Sequence, residues 1–460
     1  MSGQERSGPT RRGTRASGTR APLCVFLNGS LVGRLSKDRR GGLSFAYDPA
    51  HLDRGDAVPV SLSLPLDDRT YAGDRVSAVF ENLLPDLPAV RDAVAARLRA
   101  EGSDVHSLLA AAGADCVGAL QFLPEGRAPG PAGTSDGREI DEAGIAGLLR
   151  SLERFPLGLG AADDKEGGGL RISIAGAQEK TALLRRDGRW FVPAGTAATT
   201  HILKPAIGRR AGLDLSLSVQ NEWFCLAALR ALGLPAANAE VHAFEDETAL
   251  VVERFDRRWT DGGAGARRLL RVPQEDMLQA LGVPTARKYE ADGGPGIAAI
   301  SALLGAADDP RRDRMAFLRA QVAYWLLAAT DGHAKNFSVF LGPAGRFALA
   351  PLYDVMSVQP NLDAGEIARN KAQLAMAVGE RRRRRIDMIQ GRHFVQSARA
   401  FGLPVAAVEA ALGEVGAALP RALDRVVEGL PQGFPAPLAE AVVGGALKRL
   451  AAAEAADSVD

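Results

Sequence analysis

Cysteine is scarce in this chain, with three in 460 residues, and histidine nearly so, with six. Cys24, Cys116 and Cys225 lie far apart, are odd in number and have no zinc-ligand spacing. That excludes a disulfide framework and a cysteine zinc site, and the three read as small buried hydrophobes in a reducing cytoplasm. No stretch approaches the roughly 18 uninterrupted apolar residues of a membrane span. An excess of one charge is also missing. The formal net charge is +1, so no molecule-wide field draws the chain to nucleic acid, and any DNA contact must come from a local patch. The first twenty or so residues are rich in Gly, Ser, Thr and Arg and lack the apolar run of a secretory signal. Residues 1–21 therefore read as a disordered basic tail with almost nothing to bury, its arginines serving solubility or brushing nucleic acid. No internal repeat is present.

What is there has the balance of a globular protein, 46% hydrophobic and 24% charged. A chain of 460 residues exceeds one ordinary core, so two or three lobes are expected. Residues 22–125 read as a first module of mixed α and β structure. Asn28-Gly29 marks a hairpin after a strand within 23–31, residues 88–98 and 105–112 look helical, and 116–123 returns to strand character. Residues 126–169 read as a linker rich in Gly and Pro, carrying one short helix at 142–155. From 170 to 258 strands dominate, at 171–184, 190–193, 201–204 and 249–253, interrupted by a helix at 218–232 closed by Gly233. Residues 259–455 read as helical, with the clearest periodicity at 317–329, 387–401, 405–419 and 436–453. A β-rich lobe before a helical lobe is an α+β, bilobal layout, which many enzymes share.

The segment Thr330-Asp331-Gly332-His333-Ala334-Lys335-Asn336 follows the first of those helices. An Asp with an Asn five positions later is the spacing of a kinase catalytic loop. The Asp must accept a hydrogen bond from the attacking hydroxyl, while the Asn amide oxygen reaches a magnesium ion on the phosphates. Taken alone, Asp-Gly is also a turn signal. The runs 337–341 and 347–352 read as a hairpin that returns Asp354 beside this loop. A carboxylate and an amide oxygen are the hard ligands magnesium takes, and no cysteine or histidine cluster competes for a softer metal. Tyr353-Asp354-Val355 stands where many kinases carry Asp-Phe-Gly, so regulation of the eukaryotic kind is not expected.

Lys204 ends a strand in which alternation puts it on the same face as Ile202. It points into the cleft to meet phosphates, or it is a solvated strand end. Glu222, on the following helix, is its candidate partner. Residues 172–180 form a small-residue loop that is not a Walker A sequence but lets backbone N–H groups approach phosphate. By itself it could be any tight turn. The run of five arginines at 381–385, followed by Arg392, His393 and Arg399, is the strongest positive patch. It reads as a solvated loop or as a contact to DNA phosphates.

The blocks PVSLSLPLDD, ENLLPDLPAVRD, RISIAGAQEKTALL, THILKP, VERFDRRW, RVPQEDM, KYEADGGPGI, ATDGHAKNFSVFL and PLYDV together resemble the HipA family, kinase toxins of bacterial toxin–antitoxin pairs. The resemblance covers essentially the whole chain beyond the basic tail. It implies a protein-kinase-like fold with an appended N-terminal module, and an ATP- and Mg2+-dependent serine/threonine protein kinase. By it, Asp331 is the catalytic base or the group that orients the hydroxyl, Asn336 and Asp354 hold magnesium, and Lys204 contacts the ATP phosphates. His333, Ala334, Lys335 and Tyr353 line the nucleotide site. Ile174, Ala175, Gly176, Ala177, Gln178, Glu179 and Lys180 form the phosphate-covering loop. Glu253, Arg254 and Phe255 form the adenine-holding hinge; without the family they read as a strand end followed by exposed charges. Ser173 would be autophosphorylated, expelling that loop through the added negative charge. The implied partners are a HipB-like helix-turn-helix antitoxin, operator DNA bound through that complex with a minor contact near Arg399, and an aminoacyl-tRNA synthetase substrate, the glutamyl enzyme. The implied location is the bacterial cytoplasm, at the nucleoid when bound to operator. A catalytically silent co-repressor and a small-molecule phosphotransferase of the same fold are the alternatives.

Overall fold

A computed structural model describes residues 21–152, 178–262 and 267–457. The Asn28-Gly29 turn forms as its sequence demands, with φ of 45° and 85°, the left-handed pair that matches the twist of a two-residue hairpin. It joins Leu23–Leu27 to Ser30–Lys37, which enter a five-stranded sheet with Leu43–Tyr47, Tyr71–Ala72 and Leu120–Pro124. Helices Pro88–Leu98 and Val105–Ala112 form where periodicity places them. Phe45 packs tilted against Phe80 at 5.7 Å, and Phe80 packs edge-on against Phe122 at 5.6 Å, through the core of this module.

The second lobe is a six-stranded antiparallel sheet. Its order is Ala239–Phe244, Glu247–Glu253, His201–Pro205, Thr181–Arg186, Arg189–Pro193, Gly137–Ile140. Composition suggests a linker at 126–169, whereas Gly137–Ile140 is the sheet's edge strand. The helix Glu142–Leu152 buries Ile145, Leu149 and Leu152 against Leu183, Leu203 and Val251 of the sheet. A four-residue strand reading Gly-Arg-Glu-Ile offers no alternation to detect. Strands also persist past 259. Arg257–Asp261 pairs with Arg267–Arg271, and Gln274–Asp276 joins the hairpin Ser338–Leu341 and Phe347–Leu349.

Helices of the third lobe begin with Met277–Leu281. Pro310–Leu327 starts earlier than its apolar pattern, because Asp309 caps it and Pro310 takes the first helical position. Val405–Glu428 runs on through Pro420, and the 387–401 pattern breaks into Gly391–Gln396 and Ala398–Phe401.

Two polar seams fasten the first module to the rest. In one, Asp115 has no exposed surface and accepts from Arg257 Nη2 and Arg271 Nε, each at 2.9 Å, and from Thr199 Oγ1 at 3.0 Å. Beside it, Asp256 takes a two-pronged contact from Arg254 at 2.9 and 2.7 Å and accepts from the Gly118 N–H at 2.8 Å. Of the charges expected to be exposed after the strand end, Arg254, Asp256 and Arg257 are therefore buried, and Arg258 is exposed. In the other seam the Leu62 N–H donates to Glu275 Oε1 at 2.7 Å, while Ser61 and Ser63 donate to the Gln279 carbonyl. Burial pushes the Glu275 carboxyl up to about 8.

Truncating Asp115 to Ala removes the carboxylate shared by the buried guanidinium groups of Arg257 and Arg271, and should lower stability in chemical denaturation by about 3–5 kcal/mol. Glu275 holds its proton more tightly folded than unfolded, where its value is 4.5. Unfolding therefore releases that proton, and stability falls as pH rises from about 4.5 towards 8. Melting temperatures across that range should show a shallower decline in Glu275→Gln than in the wild type.

Candidate active site

The strand His201–Pro205 runs in the sheet interior, and alternation aims Ile202 and Lys204 into the cleft below it. Lys204 Nζ donates to both oxygens of Glu222, at 2.8 and 3.0 Å, and to Asp354 Oδ1 at 2.9 Å. Glu222 comes from helix Ser218–Ala231, and Asp354 from just beyond the hairpin of the helical lobe. Burial works against the Lys204 charge, but the carboxylates of Asp354 and Glu222 outweigh it and raise the lysine above its ordinary value. Burial likewise opposes ionisation of Asp354, yet the ammonium groups of Lys204 and Lys180 hold its carboxyl well below the usual range. Burial pushes Lys180 itself down to about 8, with Asp354 pulling the other way. The Asp354 backbone has φ 59°, a left-handed conformation that Asp tolerates better than most residues.

The loop after helix Pro310–Leu327 is launched by Ala328 at φ 53°, and Ala329 N–H turns back to the Tyr324 carbonyl at 2.8 Å. Gly332 then passes over the Tyr324 ring so closely that a Cβ would lie 2.6 Å from it. The His333 N–H and the Asn336 side-chain amide both donate to the Asp331 carbonyl at 2.8 Å. That bond leaves the Asn336 amide oxygen to act as an acceptor elsewhere. The Asp331 carboxylate is 61% exposed, and Tyr289 donates its hydroxyl to Oδ1 at 2.7 Å.

These groups share a cleft of about 340 Å³ with Gln178, Lys180, Glu253, Arg254, Phe255, His333, Lys335 and Tyr353, a volume suited to a cofactor. The Arg254 guanidinium leaves the cleft for the Asp256 seam. Ala334 packs in the core of the helical lobe rather than lining the cleft. Glu179 turns outward to Arg210 at 2.7 Å. Ser173, Ile174, Ala175, Gly176 and Ala177 lie outside the described residues. Arg399 is exposed on the short helix Ala398–Phe401.

The sequence reading missed Asn82 and Asp86, which the first module sends into the same cleft. Lys335 Nζ donates to the Asn82 carbonyl at 3.0 Å and pairs with Asp86 at 3.1 Å, and Lys288 reaches Asp86 at 2.9 Å. Burial opposes the Asp86 charge, but the two lysines hold its carboxyl below the ordinary value. The block ENLLPD carried this signal, though nothing in its spacing pointed to a cleft.

A lysine from a sheet, paired with a helix carboxylate and facing an Asp–Asn loop across an interlobe cleft, places the molecule among the two-lobed kinases. The model of the HipA-like C-terminal domain matches residues 172–423, and that of the HipA N-terminal domain residues 23–123. The chain belongs to the HipA family. It is 36% identical over 364 residues to a Sinorhizobium fredii protein provisionally named kinase Y4mE, covering 78% of this chain and 81% of that one. It is 28% identical over 369 residues to the serine/threonine-protein kinase toxin HipA of Shewanella oneidensis, covering 78% of each. A solved Shewanella oneidensis complex of HipA, HipB and operator DNA contains a chain that superposes with a TM-score of 0.77 and 26% identity. The match covers 94% of this chain and 97% of that one.

Gly332→Ala should lower the melting temperature, at a cost of about 1–3 kcal/mol, because the added methyl forces either the loop or the buried Tyr324 ring to shift.

Proposed function

We propose that the chain is a serine/threonine protein kinase toxin that transfers the terminal phosphoryl of ATP to an aminoacyl-tRNA synthetase, the glutamyl enzyme, and so arrests growth. The observation that carries the kinase part is the buried Lys204 ammonium held between Glu222 and Asp354. Lys204 keeps its proton there and presents a fixed positive charge to phosphate oxygens. Asp331, at the open mouth of the cleft, accepts the hydrogen bond of an incoming hydroxyl and orients it. Backbone groups of Glu253 and Phe255 face the adenine, with Arg254 locked beneath them. Gln178 and Lys180 line the phosphate side of the cleft.

The donors fit magnesium. Asp354 offers a carboxylate and Asn336 an amide oxygen, hard ligands of the kind that ion takes alongside phosphate and water. Among the described residues no group of three or more His, Cys, Asp or Glu side chains forms a metal cage. When bound, magnesium would neutralise charge on the phosphates. Ser173 is the site of self-inactivation, since a phosphoserine in the covering loop repels the nucleotide phosphates.

The chain also acts in the cytoplasm with a HipB-like antitoxin as co-repressor of its own operon, touching operator DNA near Arg399. The likeness to the Shewanella complex supports this reading. No described helix is long and apolar enough to cross a membrane.

Mass spectrometry after incubation with Mg-ATP and glutamyl-tRNA synthetase tests the proposal, with Asp331→Ala and Asp354→Ala in parallel. Phosphate on Ser173 and on the synthetase in the wild type alone is the expected result. Absence of phosphate from both proteins, starting from folded and unphosphorylated chain, would overturn it.

A further inference from the structure

Three consecutive side chains, Lys288, Tyr289 and Glu290, reach three different parts of the molecule. Lys288 pairs with Asp86 of the first module at 2.9 Å. Tyr289 donates its hydroxyl to Asp331 Oδ1 at 2.7 Å. Glu290, almost buried, accepts from Arg382 and from the Ala377 N–H at 2.6 Å each, with Arg384 at 3.4 Å.

The arginine run is thus not a free loop. Arg383–Arg385 forms a strand beside Gln373–Val378, and the guanidinium groups of Arg382, just before it, and Arg384, within it, clamp Glu290. The glycines of the same block serve this contact. A Cβ on Gly294 would strike the Arg287 carbonyl, and one on Gly296 would strike the Glu290 carboxylate. The Gly294 N–H closes the turn onto the Tyr289 carbonyl at 3.0 Å. The Tyr289 ring packs edge-on against His333 at 4.9 Å, so both ends of the residue are fixed.

A carboxylate has two oxygens, and the acceptor hydroxyl needs one of them. Asp331 is largely exposed, and an exposed Asp samples several rotamers unless something holds it. Burial and the neighbouring Asp331 charge raise the Tyr289 phenol above its ordinary value, so it stays a donor. We propose that Tyr289 is a positioning residue for Asp331, occupying Oδ1 so that Oδ2 is aimed at the acceptor hydroxyl, and that Arg382 and Arg384 brace it through Glu290. This rests on the reading of Asp331 as the group that orients the hydroxyl. It gives the arginine run a role inside the kinase rather than on DNA.

The test measures phosphate incorporated into the full chain from radiolabelled Mg-ATP, comparing wild type, Tyr289→Phe, Glu290→Gln, the double variant and Asp331→Asn. Tyr289→Phe keeps the ring and loses only the hydroxyl. Its maximal rate should fall about tenfold, with the half-saturating ATP concentration within about twofold of wild type. Glu290→Gln should lower the rate less, and the double variant should fall by less than the product of the two. A Tyr289→Phe rate equal to or above wild type, with Asp331→Asn inactive, overturns the positioning role and leaves the kinase reading intact. A wild type that incorporates no label, or an Asp331→Asn that keeps the full rate, overturns both. If Tyr289→Phe proves unstable, Glu290→Gln decides: an unchanged rate there overturns the brace.

Discussion

An ammonium group taken out of water without an anion costs several kcal/mol, and Lys204 is only 6% exposed. Its strand, helix Ser218–Ala231 and the segment around Asp354 must therefore meet at one point, because each supplies a charge the others need. The sheet brings the lysine, the helix brings Glu222 and the helical lobe brings Asp354. Neither carboxylate would settle in that position alone. The triple contact joins the lobes beside an apolar cluster in which Leu250, Val252, Phe255 and Tyr353 meet, and the cleft is the space left open between them.

The first module takes part in the same arrangement. Asp115 lies under the hinge, and Asn82 and Asp86 reach the loop that carries Asp331. The charges at these junctions are paired: guanidinium with carboxylate, and lysine with carboxylate and carbonyl. That matching is what permits so much charge inside the molecule.

Much of the architecture was legible before the structure. Helices Pro88–Leu98 and Val105–Ala112 follow from Pro88 and from plain periodicity, and the hairpin before Asp354 follows from two apolar runs around Gly342 and Gly345. The pairing of Lys204 with Glu222 was visible as a candidate on alternation and helix placement. The edge strand Gly137–Ile140 was hidden, since polar residues on an edge carry no pattern. So was Arg254, whose burial depends on Asp256 and Asp115, the latter 139 positions earlier in the chain. No local window contains that information. Glu179, turned to Arg210, and Ala334, packed in the helical core, show the same dependence: membership of a motif fixes the backbone path, while the direction of each side chain depends on what packs behind it.

Arg254, Arg257 and Arg271 belong to the kinase half, yet the Asp115 carboxylate that all three approach belongs to the first module. A shortened chain starting after residue 125 would keep the cations and lose that anion. The two halves are therefore not interchangeable parts. In evolution, an exchange of the first module with a distant relative would have to bring the Asp and the arginines together, so the boundary between the halves is a poor place for recombination.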